Sequence, residues 1–272
     1  MAVQEAAALK EQGNKRFARG DFGGAEGLYS QAIIADPKDP KIYTNRALAR
    51  LKLQRWEDAI LDCQTCLAFS SDNMKAHFLL AQAQIELKYF DDALHNVKRA
   101  HDLAAKTGDK SLTAITNLVL RCKKERWDDR ERRRLRDGSA LEREVLDMLD
   151  RERAQAQADC ADHDELRDVT AEWDAKIAEM KNTFQLARGE QGRRRNVPDW
   201  AVDDITFGIM VDPVITKTGK SYERSSILEH LKRSKTDPVT REHLDPADLR
   251  PNLDLRDACE DFLENNGWAV DW

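Results

Sequence analysis

The first hundred residues repeat themselves every 34 positions without an insertion. Gly13, Ala47 and Ala81 fall in register, as do Phe22, Trp56 and Phe90. Ala25, Ala59 and Ala93 follow, then Tyr29, Cys63 and Val97, then Ala32, Cys66 and Ala100. A period of this size means stacked supersecondary units, none able to bury its apolar face alone. The residue types say how each unit is built. The small residue at Gly13, Ala47 and Ala81 lets two helices approach closely, and the aromatic plugs the turn between them. The alanine three positions later sits where the helices cross. Asp36-Pro37 ends the first unit, because proline cannot continue a helix.

Ala25-x3-Tyr29 followed by Pro37 follows the tetratricopeptide pattern. The segment resembles three such repeats, at 6–39, 40–73 and 74–107, within a domain at 1–107. In a stack of this kind the first helix of each pair lines the concave side. Lys10 and Asn14 stand one turn apart on one face, and Asn45 and Lys75 fall on the first helices of the next two repeats. Two ammonium groups and two amides around one groove suit carboxylate oxygens, with Phe17 and Leu48 as an apolar pocket beside them. The plainer alternative is a pair of solvated helix lysines. Two asparagines inside helices, where their propensity is poor, count against it.

The stretches Lys10-Glu11-Gln12-Gly13-Asn14, Thr44-Asn45-Arg46-Ala47-Leu48 and Lys75-Ala76-His77-Phe78 resemble the carboxylate clamp of chaperone-binding tetratricopeptide domains. That family grips the free C-terminal Glu-Glu-Val-Asp of the seventy- and ninety-kilodalton heat-shock chaperones. The resemblance implies that Lys10, Asn14, Asn45 and Lys75 hold the terminal carboxylates and that Phe17 and Leu48 receive aliphatic side chains. Two features depart from the family. The segment Lys106 to Leu112 is short and lacks an aromatic, and Leu79 stands where animal members have phenylalanine.

Composition limits the remaining possibilities. The 272 residues are 35% charged, with only 12 glycines and 7 prolines, which favours exposed helix over collagen-like or loop-rich β architectures. A net charge of -6 argues against a general nucleic-acid binder. No run of about 18 apolar residues exists, and Met1 to Gly20 lacks the apolar stretch of a secretory signal. Neither a membrane span nor export is expected. Five scattered cysteines, Cys63, Cys66, Cys122, Cys160 and Cys259, suit a reducing compartment. Cys63-x-x-Cys66 lacks the second ligand pair of a zinc site and lies in a helical pattern, so both read as buried helix cysteines.

From Ser111 to Arg188 there is no proline, and the only glycine is Gly138, so long helix is expected, with a break near Asp137-Gly138-Ser139. Leu166, Thr170, Trp173, Ile177, Met180, Phe184 and Ala187 recur at heptad spacing. Such a stripe needs a partner. Self-association, as a helical hairpin or coiled-coil dimer, is the economical answer, and packing back on the repeats is the alternative. The basic run Arg130 to Arg136 reads as a solvated helix face, since acids surround it, rather than as a nuclear-localisation or nucleic-acid patch. Gly189 to Arg195 reads as an exposed linker closing a helical region at 108–195.

The composition changes at 196–272, which holds five of the seven prolines. Ile205, Phe207 and Ile209 alternate as in a strand, while Met210 to Val214, Thr218 to Ser221 and Asp237 to Thr240 are turn material. Short helices are expected at Ser225 to Leu231 and Leu253 to Asn265. A small α+β domain usually needs a staple. Cys259, His230 and His243 are too few for a cross-brace metal fold, so packing, hydrogen bonds and ion pairs must serve, and no metal or cofactor is expected.

Val197-Pro198-Asp199, Ile205-Thr206-Phe207, Met210-Val211-Asp212-Pro213-Val214, Gly219 to Arg224, Ile227 to Leu231, Asp237 to Arg241 and Leu249 to Leu253 together resemble the U-box, a metal-free relative of the RING fold. U-box domains are ubiquitin ligases that orient the thioester of a charged ubiquitin-conjugating enzyme. The resemblance implies that Ile205, Phe207, Met210 and Pro238 meet that enzyme and that Arg241 hydrogen-bonds across enzyme and ubiquitin. The structural alternatives are core packing for Ile205 and Phe207, a fixed turn at Pro238, and an internal ion pair for Arg241.

Clamp, charged helices and U-box, in that order, resemble the co-chaperone ubiquitin ligases. The mostly helical chain is then expected to bind chaperone tails and bring a charged conjugating enzyme to misfolded clients. It would act as a homodimer in the cytoplasm, with the nucleus as a second compartment. Two alternatives stay open: an adaptor without catalysis, or a ligase whose repeats take another acidic C-terminus.

Overall fold

The computed structural model describes residues 2–189 and 196–272, so most of the expected linker lies outside the described residues. Two compact units result, Met1–Trp127 with Asp199–Trp272, and Asp128–Pro198.

The first unit opens with three helix pairs: α1 (Ala2–Ala18) with α2 (Phe22–Ala35), α3 (Pro40–Lys52) with α4 (Trp56–Phe69), and α5 (Met74–Glu86) with α6 (Phe90–Thr107). Their boundaries have local causes. Asp39 and Asn73 cap α3 and α5 by accepting from the backbone N–H groups of Lys41 and Ala76. Within each pair the turn passes through one left-handed residue, Gly20 (φ 82°), Gln54 (φ 59°) and Lys88 (φ 62°), again 34 residues apart. The fully buried Ala25, Ala59 and Ala93 mark the helix crossings. Close approach is strictest at Gly13, where an added Cβ would stand 2.6 Å from a ring carbon of the buried Tyr29. Cys63 and Cys66 are free and buried, and burial pushes the Cys66 thiol up to about 11. They are packing residues.

The core of the third pair continues onto α7 (Leu112–Ala158), whose Leu112, Ile115, Val119 and Cys122 join Phe90, Ala93 and Val97. Gly108, left-handed at φ 62°, ends α6, and Asp109 accepts from the Ser111 N–H at 2.7 Å to start α7.

In the second unit α7 runs unbroken through Gly138. One glycine costs a helix about 1 kcal/mol relative to alanine, too little to break 47 residues of it. The break falls instead before α8 (His163–Gly189). Asp162 accepts from the N–H groups of Asp164 and Glu165, while the Glu165 carboxylate reaches back to the Ala161 N–H. This is the reciprocal logic of a capping box. Arg153 pairs with Asp174 and Gln157 donates to Thr170, so α8 turns back along the end of α7. Of the heptad stripe, Ile177 is buried, Thr170, Trp173, Met180 and Phe184 are half-buried, and Leu166 and Ala187 are exposed.

In the C-terminal part of the first unit, β1 (Pro213–Ile215) pairs antiparallel with β2 (Ser221–Glu223) and with β3 (Arg250–Pro251), giving the order β2-β1-β3. Helices α9 (Arg224–Leu231) and α10 (Leu253–Asn265) follow β2 and β3. Val214, Tyr222, Ile227, Leu231 and Leu244 form the core, with Ile205 and Leu249 packed on it. Two expectations are corrected. The segment read as turn, Met210 to Val214, contributes β1. The alternation at Ile205, Phe207 and Ile209 is a loop closed by one bridge between Val202 and Ile209, because Asp203 captures two N–H groups a strand would need, that of Thr206 with its carboxylate and that of Phe207 with its carbonyl.

Gly13→Ala should destabilise the first unit by about 1–3 kcal/mol through overpacking against Tyr29. Urea denaturation followed by far-UV circular dichroism measures it, and an unchanged midpoint would show that the helices can separate there at no cost.

Candidate functional site

The inner helices α1, α3 and α5 carry the residues selected from sequence, and their side chains meet. Tyr29 donates to the Asn14 carbonyl oxygen at 2.9 Å, and the Asn45 amide donates to the same oxygen at 3.2 Å. Lys75 then donates to the Asn45 carbonyl oxygen at 2.9 Å. One chain of hydrogen bonds therefore joins all three repeats. Lys10 makes a 2.9 Å ion pair with Asp39, the cap of α3. An ammonium has three donors, and each of these lysines spends one on a neighbour. What remains is a row of N–H donors with two positive charges, which fits carboxylate oxygens.

The electrostatics are graded. Burial pulls the Lys75 ammonium below the usual lysine range. Burial would raise the Asp39 carboxyl, but Lys10 and the Lys41 N–H outweigh it and hold it below the ordinary value. Phe17 is half-buried with its ring 5.0 Å from Phe22, and Leu48 packs half-buried on the second-repeat core. Sequence reasoning did not find Asp39, the resident counter-ion of Lys10, although its position before Pro40 is a cap signal. Nor did it find the brace beneath the groove, where Arg46 takes Asp62 in two bonds of 2.9 and 2.6 Å, and Arg50 joins Asp62 to Glu26.

The second group of residues stands on two loops of one design. Asp203 is fully buried; its carboxylate accepts from the Thr206 N–H and hydroxyl, and its carbonyl accepts from the Phe207 N–H. Asp237, 1% exposed, does the same for the N–H groups of Val239 and Thr240 with its side chain and for the Arg241 N–H with its carbonyl. Phe207 (φ 57°) and Arg241 (φ 61°) each take the left-handed conformation at the fifth position. The sequences Asp203-Asp204-Ile205-Thr206-Phe207 and Asp237-Pro238-Val239-Thr240-Arg241 are thus one turn used twice. Strand β2 ties them together: the Tyr222 hydroxyl donates to Asp237 at 2.8 Å and the Glu223 N–H donates to Asp203 at 2.9 Å.

These turns present an apolar pair. Phe207 is 72% exposed and Val239 is 50% exposed. Pro238 and Ile205 are half-buried, with Ile205 partly spent on the core, and Arg241 is exposed. Met210 is 2% exposed and cannot meet a partner. Its side chain lies inside, and its N–H closes the first loop on the Ala201 carbonyl. The sequence named Met210 by resemblance and overlooked Val239, which the repeated Asp-x-[Ile/Val]-Thr pattern would have flagged.

Residues 197–268 match the U-box domain family. The E3 ubiquitin-protein ligase CHIP of Arabidopsis thaliana is 33% identical over 266 residues, covering 96% of this chain and 94% of its own. The chain belongs to the CHIP family of ubiquitin ligases. DnaJ homolog subfamily C member 7 of Mus musculus is 31% identical over 45% of this chain and 25% of its own. Among solved structures, a complex of the TPR2B domain of yeast Sti1 with an Hsp70 peptide is similar over 44% of this chain and 96% of that one, at 28% identity and a TM-score of 0.42. For a CHIP-family U-box, the two aspartates are what hold the loops in shape.

Burial would raise the Asp237 carboxyl, but the N–H groups of Thr240 and Val239 and the Tyr222 hydroxyl keep it below the usual aspartate value. Its contribution is therefore complete above the unfolded value near 3.8 and is lost as pH falls through the lower folded one. Asp237→Asn should cost about 1.5–3 kcal/mol at neutral pH and flatten that acid loss, read by urea denaturation across a pH series. Equal stability of the two proteins at neutral pH would remove Asp237 from its structural role.

Proposed function

We propose that this chain directs ubiquitin onto chaperone-held clients: the repeat groove grips an acidic chaperone C-terminus and the paired U-box loops seat a charged conjugating enzyme. Lys10, Asn14, Asn45 and Lys75 bind the terminal carboxylates, and Phe17 and Leu48 accept aliphatic side chains. What carries the reading is the single hydrogen-bonded row Asn14–Asn45–Lys75, with Lys10 beside it, in a chain whose other end is a U-box. Phe207, Pro238 and Val239 form the docking surface for the conjugating enzyme, flanked by Ile205. Arg241 spans enzyme and ubiquitin. Met210 has no part in that surface because it is buried.

The chain needs no nucleophile of its own. A client lysine amine attacks the thioester carbonyl, an isopeptide bond forms, and the conjugating-enzyme thiol leaves. The U-box contributes orientation, which converts an encounter into a near-attack geometry. Residues 1–107, 108–195 and 196–272 divide the work between chaperone grip, self-association and enzyme docking. Exposed Leu135, Leu141, Met148 and Leu186 in the middle region support a homodimer. The cytoplasm, with the nucleus as a second compartment, is where these partners meet.

Phe207→Ala should slow lysine-dependent discharge of ubiquitin from the conjugating enzyme by about tenfold or more, as expected for an exposed aromatic anchor. Discharge at the wild-type rate would move the docking surface elsewhere. Peptide affinity should fall as salt rises, because the contacts are charged. It should also fall as pH rises through the lowered Lys75 value, since carboxylate binds only the ammonium form. Lys75→Arg should remove the alkaline loss in fluorescence anisotropy titrations with a Glu-Glu-Val-Asp peptide. A pH profile identical in the two proteins would exclude Lys75 from the grip.

A further inference from the structure

A cavity of about 360 Å³ lies in the first unit where α6 and the start of α7 face the U-box. Helix α10 is tied to this face by the ion pairs Lys98–Glu260 and Arg126–Glu264, and the Trp127 indole donates to the Asn265 carbonyl. Gly267 is held to glycine here, since a Cβ would stand 2.3 Å from that of Trp127. The junction is therefore built, and the cavity is part of it.

Its lining inverts the sign of the protein. The chain carries a net -6, yet five cations line this cavity, Lys98, Lys106, Lys123, Arg224 and Arg256, against three carboxylates, Asp102, Asp212 and Glu260. Three of the cations are paired in place, Lys98 with Glu260, Arg224 with Asp212 and Arg256 with the neighbouring Asp257 at 3.5 Å. Lys123 is 6% exposed, and among the described residues no carboxylate stands within ion-pair distance of it. Burial without a partner is costly for an ammonium, and burial pulls this one below its usual range. His101 is also 6% exposed, and its Nε2 has no hydrogen-bond partner. Burial disfavours its charged form, so the ring stays a neutral donor or acceptor. One buried polar atom, His101 Nε2, is thus unsatisfied beside a buried ammonium, and Val119, Met210 and Leu263 give the cavity an apolar floor.

We propose that this cavity binds a small multivalent anion, held by Lys123, Lys106 and Arg256 with His101 Nε2–H as a neutral donor. The bound anion would complete the hydrogen bonding of His101 Nε2, pair with the Lys123 ammonium and cross-link the third repeat to the U-box. Phosphate and carboxylate anions share the required chemistry, and the choice between them is open to direct measurement.

The test is isothermal titration of the full chain with pyrophosphate, citrate and inorganic phosphate, each against sodium chloride of equal ionic strength. Saturable one-site binding of pyrophosphate, of citrate, or of both is expected, and which of them binds names the source. Inorganic phosphate, with fewer contacts, should bind more weakly. Lys123→Met and Arg256→Gln should each weaken binding by about tenfold, and the His101 imidazole resonances should shift only in the presence of the ligand. If Lys123→Met does not fold, the variant at the half-buried Arg256, Arg256→Gln, decides alone. Heats indistinguishable from chloride, or wild-type affinity in the variants that fold, would overturn the proposal.

Discussion

The contact on which the repeat domain depends is the close approach of paired helices at a residue with almost no side chain. At Gly13 there is no room for a methyl group beside Tyr29. That approach brings the Tyr29 hydroxyl onto Asn14, and Asn14 then orients Asn45, which orients Lys75. The groove is consequently not a set of independent surface residues. Its polar groups are positioned by a buried phenol in the first pair and transmitted across three helices. Asp39 adds a second control, since it occupies Lys10 with a carboxylate of the chain's own. The pairing lets the groove remain charged without leaving Lys10 unpaired.

The U-box solves a different problem with equally few parts. Its sheet has three very short strands, and its core is small. Two buried aspartates each gather the N–H groups of one loop, and adjacent residues of β2 connect them. Glu223 extends the network by accepting from the N–H groups of Val211 and Asp212. Burial pushes this carboxyl above the usual glutamate value, and those N–H groups offset only part of the rise. A buried carboxylate is costly unless it is saturated with donors. Here the donors are the backbone of the very loops that must be held, so satisfying the carboxylates and shaping the loops are one event. The exposed Phe207 and Val239 can then be presented without a core beneath each of them.

The 34-residue period made the helix pairs and their crossings legible in the amino-acid sequence itself, while the four polar groove residues, at different positions of the repeat, come from groove placement and the resemblance to a carboxylate clamp. Period-based reasoning works there because the contacts are local and recur. It failed where a single side chain overrode a pattern. Asp203 turned an apolar alternation into a loop, and the Asp162 cap with Glu165, not Gly138, set the helix break. Met210 joins the docking loop only by resemblance, and the packed domain buries it while leaving Phe207 exposed. Asp39 and the cavity at Lys123 and His101 join residues distant in sequence, and only the packed chain brings them together.

The central claim is that the groove delivers what the U-box modifies. Its most direct test is ubiquitin transfer to a client held by a chaperone whose C-terminal carboxylate has been amidated. Client modification should fall to the level seen without chaperone, while self-modification of the ligase continues unchanged. Undiminished client modification by the amidated chaperone would contradict the account.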